Sequence, residues 1–482
     1  MLKFRKEPLV AGMLLALSQT AAAGTEPFFV PLTESATVTV PNSTEEFTAP
    51  WIAPAGVTQE ILTSLDEVEA DANQSVVRVP GLGSGASMFD MIAYDPTGRY
   101  LFIPHETGIG AGVSRYDIWN DRMETLFSGD LGGLEGDWSG DWGAFDPATF
   151  TPAGTLIMGE EWSGTGRVME IQNPLAPADR IRVRELDTVA NTSHEGLRFS
   201  ADGKTLYFVD EWNSGAIYKV EFKQANSYKA PGVTYVLVAD DYDGDPTLNY
   251  NQGNNATAIR TGLATWVPLT NKAGKPLTSI NPFRNGPTDN PVTNPDTRGG
   301  RGAADEVGAT PFGRPEDVEV GRLVNGHEVL YFAATSERTV YSVEEIGEGK
   351  AIIRKFASDV ETPKNLGFDG TTAEMNSPDN LAQDAHGNIY IIEDAPNGSS
   401  TGGDVWFARD VDGDGVAESV DHFLSLRVAG SEATGLIFNP ADPYEFVIAV
   451  QHPASTNLDG VPGGLGDSVW RFDLEGTAFP TP

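Results

Sequence analysis

Six short stretches of this 482-residue chain open on charged or polar residues and close on polar ones, five of them on a polar pair. The openers include Asp90, His194-Glu195, Arg314 with Glu316-Asp317, and Asp379-Asn380; the closing pairs include His105-Glu106, Glu160-Glu161, Asp210-Glu211, Glu393-Asp394 and Gln451-His452. Carboxylates gathered in a confined space raise one another's pKa and repel, and oxygen-ligated hard cations are the simplest remedy. A ring of such residues therefore reads as a metal site. Arg314 stands out because it lies among acids, where a planar guanidinium can offer a fork to a doubly charged oxyanion or serve an ion pair. His194, at a repeat edge beside Glu195, is expected to touch substrate. A second signal is local: Asp410, Asp412 and Asp414 alternate, Gly415 follows, and Asp421 stands at position twelve. That is the ligand spacing of a calcium loop, with Asp where Glu is usual. Its flanks read as strands, so a loop in a hairpin is expected. The chain has no cysteine, which excludes disulfides, thiolate metal sites and a cysteine nucleophile. No Gly-x-Ser-x-Gly, P-loop or His-Glu-x-x-His pattern occurs.

The elements that must position these residues recur too. Each stretch runs as a short apolar strand, a turn built on Asp or Asn with Pro or Gly, and a second apolar strand. Copies lie at 89–106, 141–161, 194–211, 314–335, 377–394 and 432–452. In a hairpin the first residue of the leading strand lies beside the last of the returning one, so openers and closing pairs share an edge. Repeats of several short strands are the signature of propeller blades. The expected fold is thus all-β, a six-bladed β-propeller with a long inter-blade loop insertion at about 224–310, rich in Asn, Gly, Pro and Thr. The channel mouth would collect the polar edges.

Composition bounds the partners. Lys and Arg total 32 against 69 Asp and Glu, a net charge of −37, which argues against nucleic acid and anionic membrane. Basic Lys3, Arg5 and Lys6, the apolar run 9–17 and Ala21-Ala22-Ala23 read as a cleavable signal peptide over 1–23, leaving 24–482 as one propeller domain. Export to a periplasmic or extracellular location follows, and the charge favours a monomer.

HEGLRFSADGKTLYFVDE, FGRPEDVEV followed by LYFAAT, SPDNLAQDAHGNIYIIED, and TGLIFNP with AVQHP resemble successive motifs of the PhoX-type alkaline phosphatases. PHETGIGAGVSRYD and TLIMGEEW resemble two more, so the likeness runs over about 90–453. The resemblance implies a six-bladed propeller, a phosphomonoesterase acting on small phosphate esters, calcium dependence, and a core cluster of iron and calcium. It makes Glu106, Glu161, Glu195, Glu316, Asp379, Asn380 and Glu393 metal ligands and Arg314 a phosphate contact. Two departures stand: the family's cysteine ligand to iron has no counterpart in 136–153, and no twin-arginine pair precedes the apolar run. Calcium is therefore the expected cofactor, with iron beside it as the alternative although its thiolate ligand is missing. The full expectation is a secreted metal-dependent phosphoester hydrolase. Arg314 and Glu195 serve catalysis, Arg314 and His194 hold substrate, Glu160 joins the metal ligands, and Asp410, Asp412, Asp414 and Asp421 hold structural calcium. A calcium-dependent propeller lactonase and a non-catalytic calcium-stabilised binding propeller are the rivals.

Overall fold

The computed structural model describes residues 27–41, 43–72, 89–283, 298–394, 400–454 and 466–481; the expected leader, 1–23, lies outside them. Each strand pair turns on local chemistry that the repeats share. In the first, Asp95 accepts hydrogen bonds from the amides of Thr97, Arg99 and Tyr100, and Gly98 takes a φ of +68°. Ser200 to Gly203 and Asp384 to Gly387 make equivalent turns, each with a glycine at positive φ. The flanking strands are apolar and almost wholly buried, for example Tyr100–Pro104, Thr205–Val209 and Ile389–Glu393.

Antiparallel pairing in chain order builds five sheets from the described strands. Sheet I holds Ala93–Tyr94, Tyr100–Pro104, Gly112–Asp117 and Arg122–Ser128. Sheet II holds Phe145–Phe150, Leu156–Gly166, Val168–Ile171 and Val183–Glu185, with Thr192–Ser193 on the free half of its long second strand. Sheet III has nine strands, in two meanders of four: Leu197–Phe199 to Val233–Ala239, and Pro315–Arg322 to Lys350–Ser358. Gly262–Pro268 joins their outer edges. Sheet IV runs from Pro378–Gln383 to Ser419–Leu426 and takes Trp51–Ile52 on its outer edge. Sheet V holds Glu432–Phe438, Glu445–Gln451 and Ser468–Asp473, completed by Thr58–Ser64 from the other end of the chain. The fold is all-β and propeller-like, and α-helix is confined among the described residues to Thr44–Thr48, Leu65–Ala72 and Gly299–Glu306. No described helix is long and apolar enough to cross a membrane.

The innermost strands form a closed circuit. The Ala148 amide donates to Met91 O (3.1 Å), and Thr149 Oγ1 donates to Leu197 O (2.6 Å). A Cβ on Gly196 would lie 2.4 Å from Val318 N, so only glycine lets the two halves of sheet III meet there. Beyond it the Leu381 amide donates to Asp317 (3.1 Å), the Gly435 amide to Asn380 (2.7 Å), and Thr434 Oγ1 to Asp90, which returns to sheet I. Between neighbouring sheets lie apolar layers; Tyr390, Phe407, Phe423, Phe438, Phe446 and Phe472 fill the one between sheets IV and V.

The insertion is not only loop. Two meanders end in outer strands with unpaired edges, and Gly262–Pro268 satisfies both, Ala264 and Trp266 facing inward. Its alternating burial is the period-2 pattern of a strand, hidden in the sequence by the surrounding polar residues.

Candidate metal centre

A register device common to the innermost strands aims the acids. In sheet II the pairing passes from Phe145↔Glu160 to Ala148↔Met158, so Asp146-Pro147 bulges. The same slip leaves Glu316-Asp317 between Pro315 and Val318, and Asp379-Asn380 between Pro378 and Leu381. A bulge bends the strand and re-aims its side chains. Here the first residue of each pair faces the channel, and the second turns to its neighbour. Asp317 and Asn380 accept the amides of Leu381 and Gly435, bonds that hold adjacent innermost strands together.

The returning strands then choose between the members of each closing pair, because successive side chains on a strand face opposite ways. Glu106, Glu161, Glu211 and Asp394 reach the channel. Their predecessors turn into the protein. Glu160 is gripped by Arg167 Nε and Nη2, both at 2.7 Å, with the Gly143 and Arg167 amides behind it. Asp210 is held in the same way by Arg301, at 2.6 Å to each oxygen. Glu393 accepts the amides of Asn376 (2.7 Å) and Asp404 (2.9 Å) and the Trp406 indole N–H (3.1 Å). Glu160 and Glu393 are thus structural anchors, against the expectation that both ligate metal, and Asn380 is a strand staple. His194 also faces inward: its ring is fully buried, 3.2 Å from Thr192 Oγ1 and tilted against Phe208.

Two carboxylate triads result. Asp146, Glu161 and Glu195 bring one oxygen each within 4.8 Å of one another, and Glu195, Glu316 and Asp379 do the same. Glu195 belongs to both. Asp146 Oδ1 and Asp379 Oδ1 are buried with no hydrogen-bond partner in the protein. Burial above all, then the neighbouring carboxylates, pushes the pKa values of Asp146, Glu161, Glu195 and Asp379 well above the usual carboxylate range. Glu316 is raised likewise by burial, with Glu211 adding and Arg314 opposing. Carboxylates this close and largely withdrawn from water, with oxygens aimed at one point, form a donor set that fits hard divalent cations. No sulfur or imidazole belongs to either triad.

The other side of the mouth satisfies its acids with protein groups. Gln451 Nε2 donates to Asp90 Oδ2 (3.2 Å) and Glu106 Oε2 (2.9 Å), and Thr434 Oγ1 also donates to Asp90. Burial pushes Asp90 up to about 7 and Glu106 up to about 8, the latter helped by Asp90. His452 Nε2 lies 3.0 Å from Glu432 Oε1.

Arg314 sits where the two sides meet. Its Nε donates to Glu211 Oε1 at 2.6 Å, Nη2 lies 3.1 Å from Glu316 Oε1, and Nη1 is 3.7 Å from Asp394 Oδ2. The backbone there is left-handed, φ +53°, pinned by the Arg314 amide on Trp212 O (3.0 Å). Its side chain is 36% exposed, so the guanidinium reaches the opening.

The loop after Asp404–Arg409 lies at the other end of sheet IV from Glu393. Asp410, Asp412 and Glu418 converge there within 4.8 Å. Asp414 instead accepts the Val416 amide (2.9 Å), and Asp421 is buried against Arg409 Nη2 (3.2 Å) and Ser419 Oγ (2.8 Å). Position nine replaces position twelve because the chain enters Ser419–Leu426 before Asp421 and carries it into the sheet. Asp146, Glu211, Asp394 and Glu432 are channel residues that the ligand assignment from sequence omitted. Asp146 occupies the repeat position of Glu195, Glu316 and Asp379, a signal masked by starting that copy at 141.

A family profile described as alkaline phosphatase PhoX matches residues 144–454. No curated protein sequence matches the chain. Among solved structures, PhoX of Pseudomonas fluorescens in complex with vanadate, a transition state analogue, is similar with a TM-score of 0.57 and 15% identity over 93% of this chain and 99% of that one. A gluconolactonase of Xanthomonas campestris matches with a TM-score of 0.41 and 11% identity over 93% and 97% of the two chains. The first likeness establishes a shared fold.

Proposed function

Because the chain belongs to the alkaline phosphatase PhoX family, we propose that it hydrolyses small-molecule phosphate monoesters at the channel mouth with the help of bound cations. The observation that carries this reading is the position of Arg314, a partly exposed guanidinium set against two carboxylate triads that share Glu195. A neutral ester or lactone gains little from such a cation, whereas a phosphate dianion gains charge and geometry together. Asp146, Glu161, Glu195, Glu316 and Asp379 would hold the cations, calcium by their all-oxygen character, and bound cations supply charge screening and Lewis-acid polarisation of phosphorus.

The chain's own residues do the rest. Glu211 and Glu316 orient the guanidinium through Nε and Nη2, leaving Nη1, the loosest contact at 3.7 Å from Asp394, to meet a phosphate oxygen. Trp212 O fixes the backbone from which Arg314 springs. Asp317 and Asn380 hold the bulges so that Glu316 and Asp379 keep their aim. Preorganised in this way, the charges need little rearrangement as the transition state forms.

The same reading counts six blades, with sheet III as two meanders bridged by the insertion, and takes 24–482 as one exported, monomeric propeller released from a leader at 1–23. The Asp410, Asp412 and Glu418 loop would hold a separate structural calcium.

Steady-state kinetics on phosphomonoesters test the assignment. Arg314→Lys keeps charge and loses the fork; Arg314→Ala loses both. Activity should fall in the order wild type, Lys, Ala, the last by about 100- to 1000-fold, with inorganic phosphate inhibiting progressively less. A wild-type protein that cleaves lactones or carboxyl esters but no phosphoester, and ignores phosphate, overturns the reading.

A further inference from the structure

Trp212 follows Glu211 directly, and its carbonyl accepts the Arg314 amide at 3.0 Å. Its side chain is 39% exposed, although Asp210, Glu211 and Arg301 around it are buried. One face of the indole is covered: the Arg301 guanidinium stands 4.8 Å over the ring. That guanidinium is rigid, since Asp210 grips it through both oxygens at 2.6 Å. Arg301 comes from the helix Gly299–Glu306 of the insertion, whose glycine-rich start packs on Asn191 and Thr192. The insertion therefore braces the aromatic ring of the residue that pins the backbone of the proposed phosphate clamp, and leaves part of that ring to solvent.

An indole held by a cation on one side needs little ordering to accept a second planar group on the other, and aromatic stacking of this kind is tolerant of the ligand's exact identity. Resting on the phosphomonoesterase reading, we propose that Trp212 is the stacking platform for the alcohol portion of the substrate, and that this portion is planar and aromatic, as in aryl or nucleoside phosphates. Arg314 would hold the phosphate while Trp212 selects what the phosphate is attached to.

Calorimetric titration of the full-length, cation-loaded protein with phenylphosphonate and methylphosphonate tests this without turnover. Wild type should bind the phenyl compound about tenfold more tightly than the methyl one. Trp212→Ala, which keeps the carbonyl that accepts the Arg314 amide, should bring the two near parity, and Trp212→Phe should retain most of the preference. A folded Trp212→Ala protein with an undiminished phenyl preference overturns the proposal. A lowered melting temperature alongside that intact preference would make Trp212 a cap over the Arg301–Asp210 pair. Should Trp212→Ala fail to fold, the same ratio measured on Trp212→Leu decides. If neither phosphonate binds wild type, the phosphomonoesterase reading falls and the platform falls with it; if both bind and the ratio is insensitive to residue 212, only the platform does.

Discussion

The channel mouth and the 410–418 loop both gather carboxylates, yet the chain builds them by opposite means. The loop's acids lie within nine positions, turn on Gly413 and Gly415 at positive φ, and stay partly in water. The mouth draws Asp146, Glu161, Glu195, Glu316 and Asp379 from three sheets and sets them against one another, with Asp146, Glu195 and Glu316 buried and Glu161 and Asp379 half-buried. A local cluster can relax or hydrate when its cation leaves, and a convergent buried one cannot. The lesson is that equal acid content implies unequal dependence on metal.

The sharpest break between the two regions should come from the shared ligand. Glu195→Gln keeps shape, removes charge from both triads, and should lower phosphomonoesterase activity by about 1000-fold with loss of mouth-bound metal, as read by elemental analysis beside kinetics. Unchanged metal content and turnover would remove Glu195 from the centre.

Next in size is a contrast inside one closing pair. Glu160→Ala strands the buried Arg167 and should cost about 3 to 5 kcal/mol of stability in chemical denaturation. Glu161→Gln should leave stability of the chelated protein nearly intact while depleting metal. If the two variants behave alike, the alternation that separates anchor from ligand is wrong.

The mouth should also impose a pH dependence that runs higher than the loop's, where burial pushes Asp410 up to about 6. Asp90, pushed up to about 7, and Glu106, pushed up to about 8, bind protons in the folded protein at pH values where the unfolded chain has released them. Stability then falls as pH rises through that window, from about 5 to about 8. Chelated protein should accordingly melt at progressively lower temperature between those pH values, and cation-loaded protein should show a shallower slope. A flat profile after chelation would count against mutual repulsion at the mouth.

The smallest effect belongs to the loop. Asp412→Ala should leave kcat and KM unchanged and lose the calcium-dependent part of the melting temperature that arises there, worth about 2.7 kcal/mol when free calcium is 100 times Kd. Loss of activity in this variant would join the two regions that the fold separates.

Repetition of apolar strands around Asp and Gly turns determined from sequence alone that the chain is all-β and propeller-like, because turn chemistry and period-2 burial are local properties. Recurrence also marked the edges where Glu106, Glu161, Glu195, Glu316 and Asp379 lie, and the absence of cysteine limited the donors to oxygen and nitrogen. Which residue of each polar pair meets the channel was not legible, since Glu160 and Glu161 differ only in the side of the strand that pairing and bulges assign them. Asp421 shows the same limit: its spacing fits a calcium loop, but the chain enters a strand first and Arg409 claims it. The bridging strand Gly262–Pro268 and the grip of Arg301 on Asp210 depend on edges and partners far away in sequence, formed only once the sheets are in place. Local pattern settled what kinds of groups gather at the mouth, and tertiary pairing decided which atoms point into it.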